Sequence, residues 1–103
     1  MRVISNKILK EFYSKPAYKD AKAPLESWYK STVKATWNSP ADIKRVYKHV
    51  SIIANNRAVF NVAGNKYRLI AGINYPAKIV FVKFVGTHKQ YDKADAATVE
   101  LGD

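Results

Sequence analysis

The chain has no cysteine among its 103 residues. That excludes disulfides, thiol nucleophiles and cysteine-bound zinc, and it fits a cytosolic protein. No apolar run approaches the roughly 18 residues of a membrane span. The opening MRVISNKILKEF lacks the small-residue cleavage site of a signal peptide and is expected to start the fold. Acids are scarce, 8 against 18 bases, and there are two histidines. With carboxylates so few and scattered, no metal cluster is legible and no cofactor is expected.

The chain is rich in apolar mass and positive charge. Hydrophobic residues make up 48% and aromatics 13%, enough for one core without metal or disulfide staples. The net charge is +10, unevenly spread. Residues 1–50 carry 11 bases and 4 acids, residues 51–93 carry 7 and 1, and residues 94–103 carry no base and 3 acids. Residues 1–93 read as a single domain. Residues 94–103, acidic and without periodicity, read as a flexible tail the fold does not need. A basic body expects an anionic partner: nucleic acid first, then an acidic protein, then anionic lipid. A basic surface kept for solubility is the bland alternative.

Periodicity gives the element order. MRVIS suggests a short edge strand. Ile4, Ile8, Leu9, Phe12 and Tyr13 recur at helical spacing over residues 5–14, and Pro16 ends that helix. Leu25, Trp28, Tyr29, Val33 and Trp37 form the apolar stripe of a second helix over residues 20–36, with Pro24 tolerated in its first turn. Both tryptophans read as core anchors. Ser39, Pro40 and Asp42 open a third helix, whose buried side is Ile43, Val46 and Tyr47. From Arg57 the period becomes two, giving three strands in RAVFNV, KYRLIAGIN and KIVFVKFVGT. Turns at residues 63–65, where Gly64 and Asn65 suit positive φ, and at YPAK make them an antiparallel meander. The expected fold is α+β: N-terminal helices on one face of a small antiparallel sheet, the other face open.

Alternation sends Lys66 and Arg68 to the open face, with Tyr67, Leu69, Ala71 and Ile73 toward the helices. Val80, Val82 and Phe84 form one set on the last strand, and Phe81, Lys83 and Val85 the other. Arg57 and Asn61 join from the first strand. The expected surface is concave, carrying Arg68, Lys83, Lys66, Arg57 and the ring of Phe81, and it suits a single-stranded nucleic acid. An ordinary solvated face is the competing reading. The segment FVGTHKQYDK adds His88, Lys89, Tyr91 and Asp92 at the end of the last strand. His88 can exchange a proton near neutral pH, and Arg68 offers a rigid fork to phosphate. Attack of a 2′-hydroxyl on RNA phosphorus needs such groups and no metal. A polar chain end, with Asp92 binding a backbone N–H, is the other reading. Strict alternation places His88 toward the core, so facing the open side requires a twist or bulge at Gly86. His49 reads as structural or solvent-exposed.

FNVAGNKYRLIAGINYPAKIVFVKFVGTHKQYD, residues 60–92, resembles the signature region of the HigB toxins, a branch of the RelE/ParE superfamily. APLESWYK and SPADIKRVY are also similar to that family, so the likeness covers nearly all of residues 1–93. The resemblance implies a RelE/ParE-like fold and the toxin of a type II toxin–antitoxin pair. Such toxins are mRNA endonucleases, usually acting in the ribosomal A site. Their products are a 2′,3′-cyclic or 3′-phosphate and a 5′-hydroxyl. It further implies a HigA-type helix-turn-helix antitoxin as partner, in a complex that represses its own operon. By position, Arg68 sits where relatives hold the scissile phosphate. His88 sits where they place an Arg or His for the leaving group or nucleophile. Tyr91 falls in the segment where many have a catalytic Tyr. Lys66, Lys83, Arg57 and Lys89 are the candidate RNA-binding bases. Two competing readings are a ParE-like toxin that acts by protein contact and an RNA-binding module that leaves RNA intact.

Overall fold

Three aromatic rings close around Phe60, and the helical layer is assembled on them. Trp28 and Tyr47 meet Phe60 edge-on at 5.5 and 5.1 Å between centroids, and Trp37 stacks on it at 6.3 Å. The computed structural model describes residues 1–101. Its order is β1 (Arg2–Ile4), α1 (Lys7–Tyr13), a 3₁₀ turn (Pro16–Ala21), α2 (Lys22–Lys34), α3 (Pro40–Val46), β2 (Ser51–Ile53), β3 (Arg57–Val62), β4 (Tyr67–Asn74), β5 (Ile79–Thr87) and α4 (His88–Asp92). The α+β fold, with helices leading, is as expected. No helix among the described residues is long and apolar enough to cross a membrane.

The sheet runs β1-β5-β4-β3-β2. Its three long strands form the expected meander, but β1 lies parallel to β5, so the sheet is mixed. SIIANN also supplies a strand the pattern did not give. β2 pairs with β3 through a turn in which Asn55 and Asn56 both take positive φ, 61° and 54°. Asparagine tolerates that region because its short side chain bonds locally. In the next hairpin it is Ala63 and Gly64, rather than Gly64 and Asn65, that have positive φ.

The helices bury Ile8, Leu9 and Phe12 of α1, Leu25, Trp28 and Thr32 of α2, and Ile43 of α3. These pack on Ala58, Phe60 and Val62 of β3, Leu69 and Ala71 of β4, and Val80, Val82 and Val85 of β5. Two positions depart from the expected stripes. Val33 and Val46 are exposed, at 44% and 60%. The buried stripe of α2 is Leu25, Trp28 and Thr32, which turns the neighbouring Val33 away from the core, and α3 buries Ile43 alone; Trp37 reaches the core from the loop. α3 does open at Ser39 and Pro40, but the Ser39 side chain does not cap it. Instead the Asp42 carboxylate accepts the Asn38 N–H at 2.8 Å. That bond, with Arg45 nearby, holds the Asp42 carboxyl below its ordinary value.

One extra residue changes the faces of β5. Ile70 pairs with Phe84, but Ala71 pairs with Val82, which leaves Lys83 as a bulge. Phe84 therefore leaves the Val80 and Val82 set and joins the second face, while Val85 turns toward the helices. The break in alternation lies at Lys83, three residues before the expected place at Gly86. On the second face Val59, Ile70 and Phe84 form their own apolar cluster, covered by Ile53, Tyr91, Ala94, Ala96 and Val99. Residues 94–101 of the acidic tail, which composition leaves without a packing role, lie across the face expected to be open.

A clamp ties the 3₁₀ turn to the sheet. The Asp20 carboxylate accepts from the Tyr67 hydroxyl and the Lys66 ammonium. Tyr67 is buried, edge-on to Phe12 and Tyr18. The bonds from Lys66 and then Tyr67 hold the Asp20 carboxyl below its usual 3.8. A depressed carboxyl adds stability above its unfolded value that is lost as pH falls through its folded value. Asp20→Asn should thus lower the melting temperature at pH 7, and the gap from wild type should close below about pH 4. A gap that persists unchanged at pH 2 would contradict the clamp. Phe60→Ala should cost about 3–5 kcal/mol in denaturant unfolding, as expected for removing a buried ring from a packed aromatic cluster.

Candidate active site

The Lys83 bulge sets the end of β5 so that Gly86 shares the second face with Phe84. A Cβ built on Gly86 would stand 2.7 Å from Phe84 Cζ and 2.8 Å from Gln90 Oε1, so a larger residue there would push the ring and the amide off the strand. Thr87 then caps α4 with a reciprocal pair. Its Oγ1 accepts the Gln90 N–H at 3.2 Å, and its own N–H donates to Gln90 Oε1 at 2.9 Å. Gln90 Nε2 also reaches the Tyr18 hydroxyl at 3.4 Å. His88 follows the cap, and its N–H donates to the Lys66 carbonyl at 3.2 Å.

His88 and Asp92 are one helical turn apart in α4, and His88 Nδ1 lies 3.0 Å from Asp92 Oδ2. Both side chains are about half exposed, at 52% and 56%. With a proton on Nδ1 donated to the carboxylate, Nε2 is left to accept a proton; in the imidazolium, Nε2 donates one. The tautomer is assigned from this bond. Asp92 is therefore the ring's partner, not the backbone-binding residue of a polar turn. The i, i+4 spacing was the available signal, visible once HKQYD is read as helix.

Arg68 is at the same end of the sheet, two residues past Lys66, whose carbonyl accepts the His88 N–H. It pairs with Gly86 on β5 and with Asn61 on β3. Its Nη1 donates to the carbonyls of Asn65 at 3.0 Å and Tyr67 at 3.2 Å. Nη2 and Nε have no protein partner among the described residues. A cavity of about 630 Å³ opens next to Asn61 and Asn65, lined also by Tyr47, Lys48 and His49. His49 is exposed, as expected.

The remaining candidates divide. Lys66 is at this end but turned to Asp20. Lys89 is exposed on α4. Tyr91 packs against the Val59–Ile70–Phe84 cluster, and its hydroxyl has no partner among the described residues. Arg57 and Lys83 are at the other end of the sheet, where Arg57 pairs with Gly72 and Gly72 with Phe81. Four residues of β4, roughly 13 Å, separate that end from Arg68. The expected continuous cationic surface is thus two cationic ends with an apolar, tail-covered centre. Sequence reasoning missed Asp20, 46 residues from Lys66, and Glu100, which pairs with Arg57 and Lys83. Nothing local signals either contact.

Comparison with known proteins bears on what such a site belongs to. A family model described as "HigB_toxin, RelE-like toxic component of a toxin-antitoxin system" matches residues 21–94. The chain is 29% identical over 94 residues to "mRNA interferase toxin HigB" of Escherichia coli (strain K12), covering 89% of this chain and 88% of that protein. It is 30% identical over 95 residues to "mRNA interferase HigB" of Escherichia coli O6:H1, covering 90% of each. A Shigella flexneri "mRNA interferase HigB" is 29% identical over 94 residues. The match spans α2 to α4, including Arg68, His88 and Tyr91, and on that extent the chain belongs to the HigB toxin family, RelE-like toxic components of toxin–antitoxin systems.

Proposed function

We propose that this toxin is a metal-independent endoribonuclease that cuts mRNA on the translating ribosome. The observation that carries the reading is the His88–Asp92 pair, 3.0 Å apart at the mouth of the β4–β5 ladder, the same end of the sheet as Arg68. A proton-transfer group and a phosphate-binding fork at one end of a basic protein are what internal transesterification of RNA requires. The similar proteins named mRNA interferases point the same way.

In this reading the 2′-oxygen bonds to phosphorus and the bond to the 5′-oxygen breaks. The products are a 2′,3′-cyclic phosphate and a 5′-hydroxyl. Arg68 meets the extra negative charge on the phosphoryl oxygens with its free N–H groups. His88 Nε2 moves the proton, held outward by Asp92. Tyr91 and the exposed Lys89 border the same site and complete it with Lys66. The remaining positive charge steers RNA toward the site and weakens binding as salt rises. The toxin acts in the cytoplasm, and a HigA-type helix-turn-helix antitoxin holds it in check.

Primer extension on an mRNA in a reconstituted translation system tests this. Wild type should cut only when ribosomes are present. His88→Ala should cut about 10²–10⁴-fold more slowly while still binding the antitoxin. Asp92→Asn should cost less, because it removes the acceptor that orients the ring and leaves the ring in place. Cuts at the wild-type rate by His88→Ala would remove His88 from the chemistry. Inhibited translation without any cut would favour a toxin that acts by protein contact.

A further inference from the structure

The end of the sheet away from His88 holds a second cationic group, and it is already occupied. Arg57 is buried, its side chain 7% exposed. Its Nη1 donates to the tail carbonyls of Ala96 at 3.1 Å and Val99 at 2.7 Å. Its Nη2 meets Glu100 Oε1 at 3.0 Å, while Lys83 Nζ meets Glu100 Oε2 at 3.1 Å. One carboxylate thus spans two cations from two different strands. The Lys83 ammonium also lies 5.3 Å from the centre of the Phe81 ring. Beside them is a cavity of about 440 Å³ lined by Asn55, Asn56, Asn74, Tyr75 and Phe81.

This chemistry fits a nucleotide. An oxyanion held by a guanidinium and an ammonium is a phosphate contact. An aromatic face with the Asn56 amide beside it suits a base and its hydrogen-bonding edge, while Asn55 Nδ2 already donates to the tail carbonyl of Ala97 at 2.8 Å and Asn74 Oδ1 accepts the Ala77 N–H at 3.0 Å. The tail carries acids and no base, and among the described residues it meets the apolar centre through Ala94, Ala96 and Val99. A cover needed solely for Val59, Ile70 and Phe84 would not require a carboxylate on Arg57 and Lys83.

We propose that Arg57, Lys83 and Phe81 form a second RNA subsite, with Glu100 of the tail occupying the phosphate position until RNA displaces it. This rests on the nuclease reading above. The Ala96 and Val99 carbonyls keep Arg57 aimed when Glu100 leaves, so the release needs only the Glu100 side chain to swing away or the bond from the Leu101 N–H to the Lys83 carbonyl, 2.9 Å, to open. A site closed most of the time binds more weakly in proportion to the open fraction.

The test is binding of a short labelled single-stranded RNA to the full chain, at low and at physiological salt, with melting curves to verify the fold. Glu100→Gln should bind about tenfold tighter than wild type if the subsite is open a tenth of the time. Adding Lys83→Gln or Phe81→Leu should take that gain away. If Glu100→Gln melts early, the wild-type tail can be followed instead. The chain lacks cysteine, so Asp103→Cys accepts a single fluorophore. RNA must then release the tail as strongly as the tail opposes RNA. Unchanged or weaker RNA binding by a folded Glu100→Gln would overturn the subsite and leave the nuclease reading intact. So would a gain toward a free acidic peptide with none toward RNA. Failure of every variant, wild type included, to bind RNA would also overturn the subsite, while the nuclease reading stands or falls on the ribosome-dependent cut.

Discussion

The extra residue at Lys83 is the constraint on which both faces of the sheet depend. Up to Val82, β5 sends its valines to the helices. Beyond the bulge Val85 takes that role, and Phe84 crosses to the far side. The crossing has two consequences. Phe84 completes an apolar patch with Val59 and Ile70, giving the tail and Tyr91 something to pack on. It also lays its ring over Gly86, so the strand ends close to its own helix cap and delivers His88 next to the Lys66 carbonyl. Removing the bulge would reverse each residue after it, since side chains alternate with a period of two.

Charge is arranged around that frame by a few acids. Asp20 draws in Lys66, Asp92 orients His88, and Glu100 spans Arg57 and Lys83. In a chain with 18 bases and 8 acids, each such pair takes a cation out of the general positive field and gives it a fixed position. Among the described residues Arg68 has only backbone carbonyls for partners and keeps part of its fork unfilled. A guanidinium satisfied by neutral acceptors retains its full attraction for an anion. That separates Arg68 from Arg57, which has the same charge but already meets a carboxylate.

Much of this was legible in the sequence where the signal is local. Pro40 behind Ser39 marked α3, the tryptophans marked the core, and β3 and β4 were placed by alternation and their turns. β5 was legible as a strand but not in its facing. IVFVKFV is apolar on both sides because helices cover one face and the tail covers the other, so alternation carries no contrast there. β1 was legible in MRVIS as a short edge strand, but its parallel partner, more than 70 residues away, was not, and β2 is three residues long and has no pattern of its own. The site was legible as residue types and as a place. Its internal bonding was not, apart from the His88–Asp92 spacing, because the contacts of Asp20 and Glu100 are made only once the chain has folded.

The His88–Asp92 pair contributes little to holding the fold. Both side chains are about half exposed, and exposed ion pairs at helical spacing contribute a few tenths of a kcal/mol. α4 is held instead by the Thr87–Gln90 cap, by Gln90 on Tyr18 and by Tyr91 on the Phe84 cluster. Those contacts fix the helix backbone, and the carboxylate then has only the imidazole ring left to orient. A pair with little value for stability, set on a short helix secured by other residues, is consistent with a role in aiming a ring. It leaves Nε2 accessible to a substrate, which burial of the same pair would prevent.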